Sequence, residues 1–426
     1  ERNWMKMKKI YYRVIVAHAG QQSSFKRVEA LKHDNLLFKY ITTVYLKKKY
    51  ISKLSLLKRI NRDEYNRLKL RNCNILDDED VVQYDVFPNL LLIMVNRFSR
   101  LKKLYNFMNL KLSRKFAIKV ADYADIENVD ALIMMGAAPA AAFEQLSKKR
   151  SHVVKIFDMT SIAYNYQGII MQKEREKMPI AWRKYITVNS DSPKIELLMK
   201  NIYTADHLIC TSKFAFQSLV ENGIDPKKIS IVRYGINSPK KKQITRKNMK
   251  KPLKLLFVGS VSCEKGIYFL LEAMKCFRPE DVSLTVIGKK YVSDDLLSEY
   301  ENWCQFVGDI PYSQVGKYYE NADVFVFPTL FDSFGKVISE AMSYGLPVIS
   351  TSSAGAADYI ENGINGFVIK AGSVEELENS IKYFLEHRDK VISMGKQSIE
   401  TADQNTWSQY EKEYAKTIRQ IILESR

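Results

Sequence analysis

Asp323-Val-Phe-Val-Phe-Pro-Thr-Leu-Phe-Asp-Ser-Phe-Gly-Lys-Val-Ile-Ser-Glu340-Ala-Met-Ser-Tyr-Gly345 changes its pattern twice. Val324 to Phe327 is a short continuous apolar run, which reads as a strand buried on both faces. Pro328 stops it, and Asp332, Ser333 and Gly335 form a loop. From about Phe334 the spacing turns helical, with Val337, Ile338, Ala341 and Met342 on one stripe. Gly345 and Pro347 end that helix, and residues 346–350 begin another strand. The unit is strand, glycine turn, helix, strand.

Such a turn leaves the first backbone N–H groups of the helix pointing into a crevice, with the positive end of the helix dipole behind them. This is an anion site, and Gly335 lets a ligand approach the backbone closely. Two carboxylates flank it. Asp332 sits just outside the helix, and Glu340 lies roughly 8 Å along it at 1.5 Å per residue. A diphosphate at the helix start then has a polyhydroxyl group near each carboxylate, which is the layout of a nucleotide-sugar. An acidic cap on an ordinary helix has the same local sequence, so the rest of the chain decides.

The segment Asp332-Ser-Phe-Gly-Lys-Val-Ile-Ser-Glu340-Ala-Met resembles the Glu-x(7)-Glu motif of the family 4 retaining glycosyltransferases. The resemblance implies that Glu340 holds the donor ribose. It also implies that Asp332 contacts the donor sugar and that the backbone from Ser333 through Phe334, Gly335, Lys336 and Val337 meets the diphosphate. Asp332 stands where the family has Glu, and its shorter arm leaves the sugar unspecified.

At 426 residues the chain is long for one core, and two domains are expected. Its charge divides in the same place. Residues 1–250 carry 48 Lys and Arg against 23 Asp and Glu, a net +25, whereas residues 251–426 carry 18 against 25, a net −7. A basic half joined to a mildly acidic one implies that only the first meets a polyanion. The five cysteines, Cys73, Cys210, Cys263, Cys276 and Cys304, are odd in number and contain no Cys-x-x-Cys. Reduced thiols and a cytoplasmic protein are expected, rather than a disulfide framework or a zinc site. Residues 1–10 are charged and no signal-peptide core follows. No run of about 20 apolar residues exists.

In the first half, residues 10–17 read as a strand, followed by His18-Ala-Gly20-Gln-Gln and a helix from about Ser23. This suggests a nucleotide-type α/β unit, and the resemblance implies that its turn, with His18 and Gly20, lies on the acceptor side of a cleft. Residues 36–45 read as a second strand. Residues 47–71 read as a basic helix with Leu54, Leu57 and Ile60 at helical spacing. Asp77-Asp-Glu-Asp80 is expected to be a solvated loop rather than a metal site. In residues 97–119 Leu101, Leu104, Tyr105, Met108 and Leu112 form an apolar stripe among Arg97, Arg100, Lys102, Lys103, Lys111, Arg114 and Lys115. Two readings fit it: a helix packed on the sheet with a basic outer face, or a basic amphipathic helix on an anionic membrane. Asp158 ends the strand over 153–157, where ligands gather in open parallel sheets. It is a candidate for the acceptor side, and equally a helix cap. The segment Thr204 to Ser212 and Tyr234-Gly-Ile-Asn237 are similar to the stretches that close the first domain in family 4. Lysine-rich residues 238–251 read as a linker.

The second half restarts the alternation at residues 253–258. The loop Gly259-Ser-Val-Ser-Cys-Glu-Lys265-Gly266 resembles the family's Gly-Arg-x(4)-Lys-Gly, which binds the donor diphosphate. Lys265 fits, while Ser260 stands in the Arg position without a charge, and Lys336 is the candidate to offset it. The family places the base near the third strand end, here Ile310. Residues 353–367 resemble its glycine turn and Asn-Gly hairpin. Ser373 and Glu376 read as a capping box.

The expectation is an α/β protein of GT-B architecture, two Rossmann-like domains with parallel sheets facing across a cleft. Residues 1–240 bind the acceptor and residues 251–406 bind the donor, with the helix at 407–426 packing back on the first domain. The resemblance implies transfer of a sugar from a UDP- or GDP-sugar to a glycan or lipid-linked acceptor with retention. The expected setting is cell-surface polysaccharide or glycolipid synthesis at the inner face of the cytoplasmic membrane. No bound metal or cofactor and no nucleic-acid partner is expected. The alternatives are a sugar-nucleotide epimerase on the same fold, or a non-enzymatic binder of membrane or nucleic acid.

Overall fold

A computed structural model describes residues 12–20, 24–51, 62–136, 138–186, 193–237 and 252–426. The expected stripe at Leu54, Leu57 and Ile60, the linker over 238–251, and residues 21–23 of the first turn lie outside the described residues.

Thirteen strands among the described residues form two sheets. The first contains β1 (Val14–His18), β2 (Leu37–Thr42), β3 (Val81–Gln83), β4 (Ala131–Met134), β5 (Val154–Asp158), β6 (His207–Cys210) and β7 (Ile229–Ile231). Its order is β3-β2-β1-β4-β5-β6-β7, and every pairing is parallel. The second contains β8 (Leu253–Val258), β9 (Val282–Ile287), β10 (Cys304–Gly308), β11 (Val324–Phe327), β12 (Val348–Thr351) and β13 (Gly366–Ile369). Its order is β10-β9-β8-β11-β12-β13, again all parallel. Both orders reverse direction beside their first strand, which opens a crevice at the strand C-terminal ends. The central strands β1, β4, β11 and β12 are buried at every residue, as parallel strands covered on both faces must be.

Six helices matter to the site and its surroundings: α1 (Ser24–His33), α2 (Val86–Val95), α3 (Lys102–Ile126), α4 (Tyr312–Asn321), α5 (Lys336–Ser343) and α6 (Trp407–Glu424). The stripe expected at Leu101, Leu104, Tyr105, Met108 and Leu112 is divided: Tyr105, Met108 and Leu112 are half-buried, in line with the buried face of α3, and Tyr105 lines a cavity. Leu101 and Leu104 are exposed, and full burial is reached only at Ser113, Phe116, Ala117, Val120, Ala121 and Ala124. Only the C-terminal half of α3 lies on the sheet.

α6 crosses back from the second sheet to lie against α1. Arg419 holds Asp34 (Nε to Oδ2 2.7 Å), and His33 Nδ1 meets Glu411 at 2.9 Å. Where the chain passes between the two sheets, the Ile236 N–H donates to the Asn405 carbonyl at 2.8 Å. Tyr234 is the node of this crossing. Its ring packs on Phe334, Trp407 and Tyr410 at 5.0, 5.9 and 6.0 Å between centroids. Its carbonyl accepts from the Tyr359 hydroxyl at 2.8 Å. One apolar core cluster lies under α3, and the other runs from the opposite face of the first sheet through Tyr234 and Ile236 into the second.

Ser373 caps its helix as expected, its hydroxyl accepting from the Glu376 N–H, but Glu376 turns to the Lys370 N–H at 2.7 Å.

Candidate active site between the two sheets

Gly335 precedes α5 with φ +79°, a conformation that L side chains rarely adopt. The Phe334 N–H donates to Asp332 Oδ1 at 3.1 Å, so the loop is closed by the aspartate itself. Across the cleft, the Ser333 carbonyl accepts from two hydroxyls of the first domain's strand end, Thr211 at 3.0 Å and Ser212 at 2.9 Å. This loop and the start of α5 form one wall of a cleft of about 440 Å³, completed by Thr160 and Tyr234 from the first half of the chain.

Lys265 reaches the same place from the turn after β8. Gly266 follows it with φ +71°, and a Cβ there would come within 1.9 Å of the Pro328 carbonyl oxygen. The glycine therefore lets the loop press against the end of β11. Lys265 Nζ then bonds Asp332 Oδ2 at 2.6 Å, with both side chains about one-fifth to one-quarter exposed. Gly259 and Ser260 lie at the end of β8 on this loop, and Ile310 packs, half-buried, beyond the end of β10. Lys336 is exposed at the helix start, its ammonium 5.9 Å from the Tyr234 ring centroid. Val337 is half-buried behind it.

Glu340 is held by two tyrosines of α4. The Tyr312 hydroxyl donates to Oε1 at 2.9 Å and the Tyr319 hydroxyl to Oε2 at 3.2 Å. Burial pushes the Glu340 carboxyl above its ordinary value, opposed by those two hydrogen bonds and by the Lys336 charge. The sequence reading missed both tyrosines. Their spacing of seven residues, two turns along one helix face, was the available signal.

Asp158 is corrected. It is 1% exposed, and its carboxylate accepts from Arg27 twice, at 2.9 and 2.8 Å, and from the Tyr414 hydroxyl at 2.8 Å. The same guanidinium donates to the Tyr234 hydroxyl at 2.7 Å. Every surface of Asp158 is taken by the protein, so it ties α1 and α6 to the end of β5 and offers nothing to an acceptor.

His18 and Gly20 line a separate cavity of about 390 Å³, walled by α2 and α3 through Asn89, Leu92, Asn96 and Asn109. The Gly20 N–H donates to His18 Nδ1 at 2.8 Å, so that ring nitrogen acts as an acceptor. No group of side chains suited to a metal ion occurs among the described residues.

Two parallel α/β sheets facing across such a cleft are the GT-B architecture. The chain superposes over 97% of its length on all of the lipopolysaccharide outer core galactosyltransferase WaaB, with TM-score 0.62 and 15% identity. It superposes over 96% on all of Anabaena HepE in complex with UDP, with TM-score 0.60 and 14% identity. Residues 237–401 match the family model of glycosyl transferases group 1, so the second sheet and its helices form a glycosyl transferase group 1 domain. Among curated relatives, the amylovoran biosynthesis glycosyltransferase AmsK of Erwinia amylovora is 24% identical over 242 residues, 52% of this chain and 59% of AmsK. The match thus spans less than two thirds of that relative.

Proposed function

We propose that the protein is a retaining glycosyltransferase of the family 4 type, moving a sugar from a nucleotide-sugar to a glycan or lipid-linked acceptor in polysaccharide or glycolipid synthesis. The observation that carries this reading is the convergence of Lys265, Asp332 and the start of α5 on one cleft, with Glu340 one helical turn further on. HepE, a neighbour in fold, has been solved with UDP and with UDP-glucose, which supports a nucleotide-sugar donor.

In this reading residues 251–406 hold the donor and residues 1–240 the acceptor. The diphosphate lies at the N–H groups of Gly335, Lys336 and Val337, met by Lys265 and Lys336 in the place a metal cation takes in other transferases. Glu340 accepts from the ribose hydroxyls, Asp332 faces the donor sugar, and Ile310 lines the base. The acceptor hydroxyl approaches from the cavity side of His18 and Gly20. It attacks the anomeric carbon on the face the diphosphate leaves. The bond to the phosphate oxygen breaks as the bond to the acceptor oxygen forms, and the acceptor proton passes to the leaving diphosphate. The chain works at an anionic membrane surface, without nucleic acid.

A thermal-shift screen of UDP- and GDP-sugars on the full chain tests the donor assignment. Stabilisation by one base series, lost in Glu340→Ala, is the expected result. Absence of stabilisation by every nucleotide-sugar overturns it.

A further inference from the structure

α2 is apolar on both sides. Its sequence is Val-Phe-Pro-Asn-Leu-Leu-Leu-Ile-Met-Val, without a charge. Asn89 and Leu92 face inward and line the cavity that holds His18 and Gly20. Phe87, Leu90, Leu91 and Met94, spaced along the opposite side, are 77, 40, 45 and 57% exposed. The surface continues through Phe98 into the first turns of α3, where Leu104 and Phe107 are 47 and 68% exposed. This is a contiguous run of large side chains in water, far beyond scattered single apolar residues.

The charge around it has one sign. Residues 86–121 contain eight Lys or Arg and no Asp or Glu. The acidic residue at the base, Asp85, is turned inward, where Lys119 holds it at 2.7 Å and Lys115 at 3.5 Å. The Asp85 carbonyl accepts from Asn89 Nδ2 at 2.8 Å, which pins the start of α2. The exposed face is therefore carried by a helix fastened to α3. No helix among the described residues is long and apolar enough to cross a membrane.

We propose that the outer faces of α2 and the first half of α3 form a docking surface for an anionic lipid bilayer, with Phe87, Leu91, Met94 and Phe107 entering the acyl boundary and the basic residues meeting the headgroups. An apolar face ringed by one sign of charge matches that partner, because apolar insertion and headgroup attraction add. The inner face of the same helix lines the His18 cavity, so the bilayer and the cavity lie on two sides of one helix, about 10 Å across. Resting on the reading of that cavity as the acceptor side, this assigns an acceptor borne on a membrane lipid.

The test uses the full chain and vesicles of phosphatidylglycerol and phosphatidylcholine in equal parts, with pure phosphatidylcholine as the neutral control. Co-sedimentation with the mixed vesicles only, weakened by salt, is expected. The variant Phe87→Glu/Leu91→Glu/Met94→Glu should lose about tenfold or more of that partition, since binding follows apolar area and charge together. Lys102→Glu/Lys103→Glu/Lys111→Glu should do the same. Both should keep the parent's melting temperature and nucleoside diphosphate affinity. A Trp placed by Phe107→Trp should be quenched by lipids brominated on their acyl chains. Equal partition of parent and variants, or equal binding to neutral vesicles at low salt, overturns the proposal. So does self-association abolished by the same variants without vesicle binding, which would make a second copy the occupant. Loss of donor binding in the parent would instead overturn the glycosyltransferase reading and leave the vesicle result standing.

Discussion

Lys265 and Asp332 neutralise each other at 2.6 Å in the mouth of the cleft. Both have a part in the proposed donor site, so the cation proposed for the diphosphate is already engaged by the carboxylate proposed for the sugar. An arriving diphosphate competes for Lys265, and Asp332→Asn removes the competitor. Asp332→Asn should bind nucleoside diphosphate up to about fivefold more tightly, the ~1 kcal/mol of a partly exposed pair, while transferring sugar more slowly. Lys265→Ala should bind it more weakly. Titration calorimetry reads both, and unchanged affinity in Lys265→Ala would remove this loop from the donor site.

Glu340 should give donor binding a pH dependence. Burial raises its carboxyl in the folded protein, so the folded state holds that proton more tightly than the unfolded chain does. The resulting stabilisation is complete below the unfolded value and is lost as pH rises through the raised one. Donor binding needs the carboxylate and therefore runs the other way, weakening as pH falls through the raised value. Glu340→Ala should cost about 1.5–3 kcal/mol of donor affinity. Glu340→Gln should cost less, lose this pH dependence, and melt no lower than the parent at neutral pH. Calorimetry across mildly acidic pH, with melting curves alongside, checks all three.

Ser260 gives the loop proposed to meet the diphosphate no charge at that position. Ser260→Arg should tighten nucleoside diphosphate by about fivefold, again ~1 kcal/mol. No gain, in a variant that melts with the parent, would mean Lys336 and the helix start already saturate the phosphate charge.

Asp158→Asn should act on stability and leave the donor site alone. It takes the counter-charge from a buried guanidinium, which costs about 3–5 kcal/mol. Tyr414→Phe removes one hydrogen bond to the same carboxylate and should cost about 1–3 kcal/mol. Urea unfolding gives both. A fully stable Asp158→Asn with reduced transfer would return Asp158 to the acceptor side.

The loop and helix proposed to hold the donor were legible because their information is local. A strand, a glycine at positive φ, a helix and a carboxylate occur within one short stretch, and each leaves its own mark on the sequence. Asp158 misled because its partners are remote: Arg27 precedes it by 131 residues and Tyr414 follows by 256. A strand-end aspartate looks the same whether a ligand or a guanidinium will meet it. The stripe in α3 was legible only in part. Apolar spacing marks a face without saying what covers it, and the sheet covers Phe116 and Val120 while leaving Leu104 in water. α2 escaped notice because apolar residues on both of its sides cancel the periodicity that marks an amphipathic helix.

The bond between Ile236 and Asn405 bears on how the molecule can move. The chain leaves the first sheet for the second beside Ile236 and returns beside Asn405, so its outgoing and returning segments are joined where they cross. Gly235 packs against the backbone of Trp407, where a Cβ would come within 2.4 Å, leaving the two no room to slide. Any relative motion of the halves therefore has to bend the chain at this crossing. The Ser333 carbonyl, gripped by Thr211 and Ser212, and the Lys213 N–H, which donates to Asp358 at 2.9 Å, hold the halves together away from it. Widening the cleft at Ser333 therefore means breaking these bonds while the crossing holds.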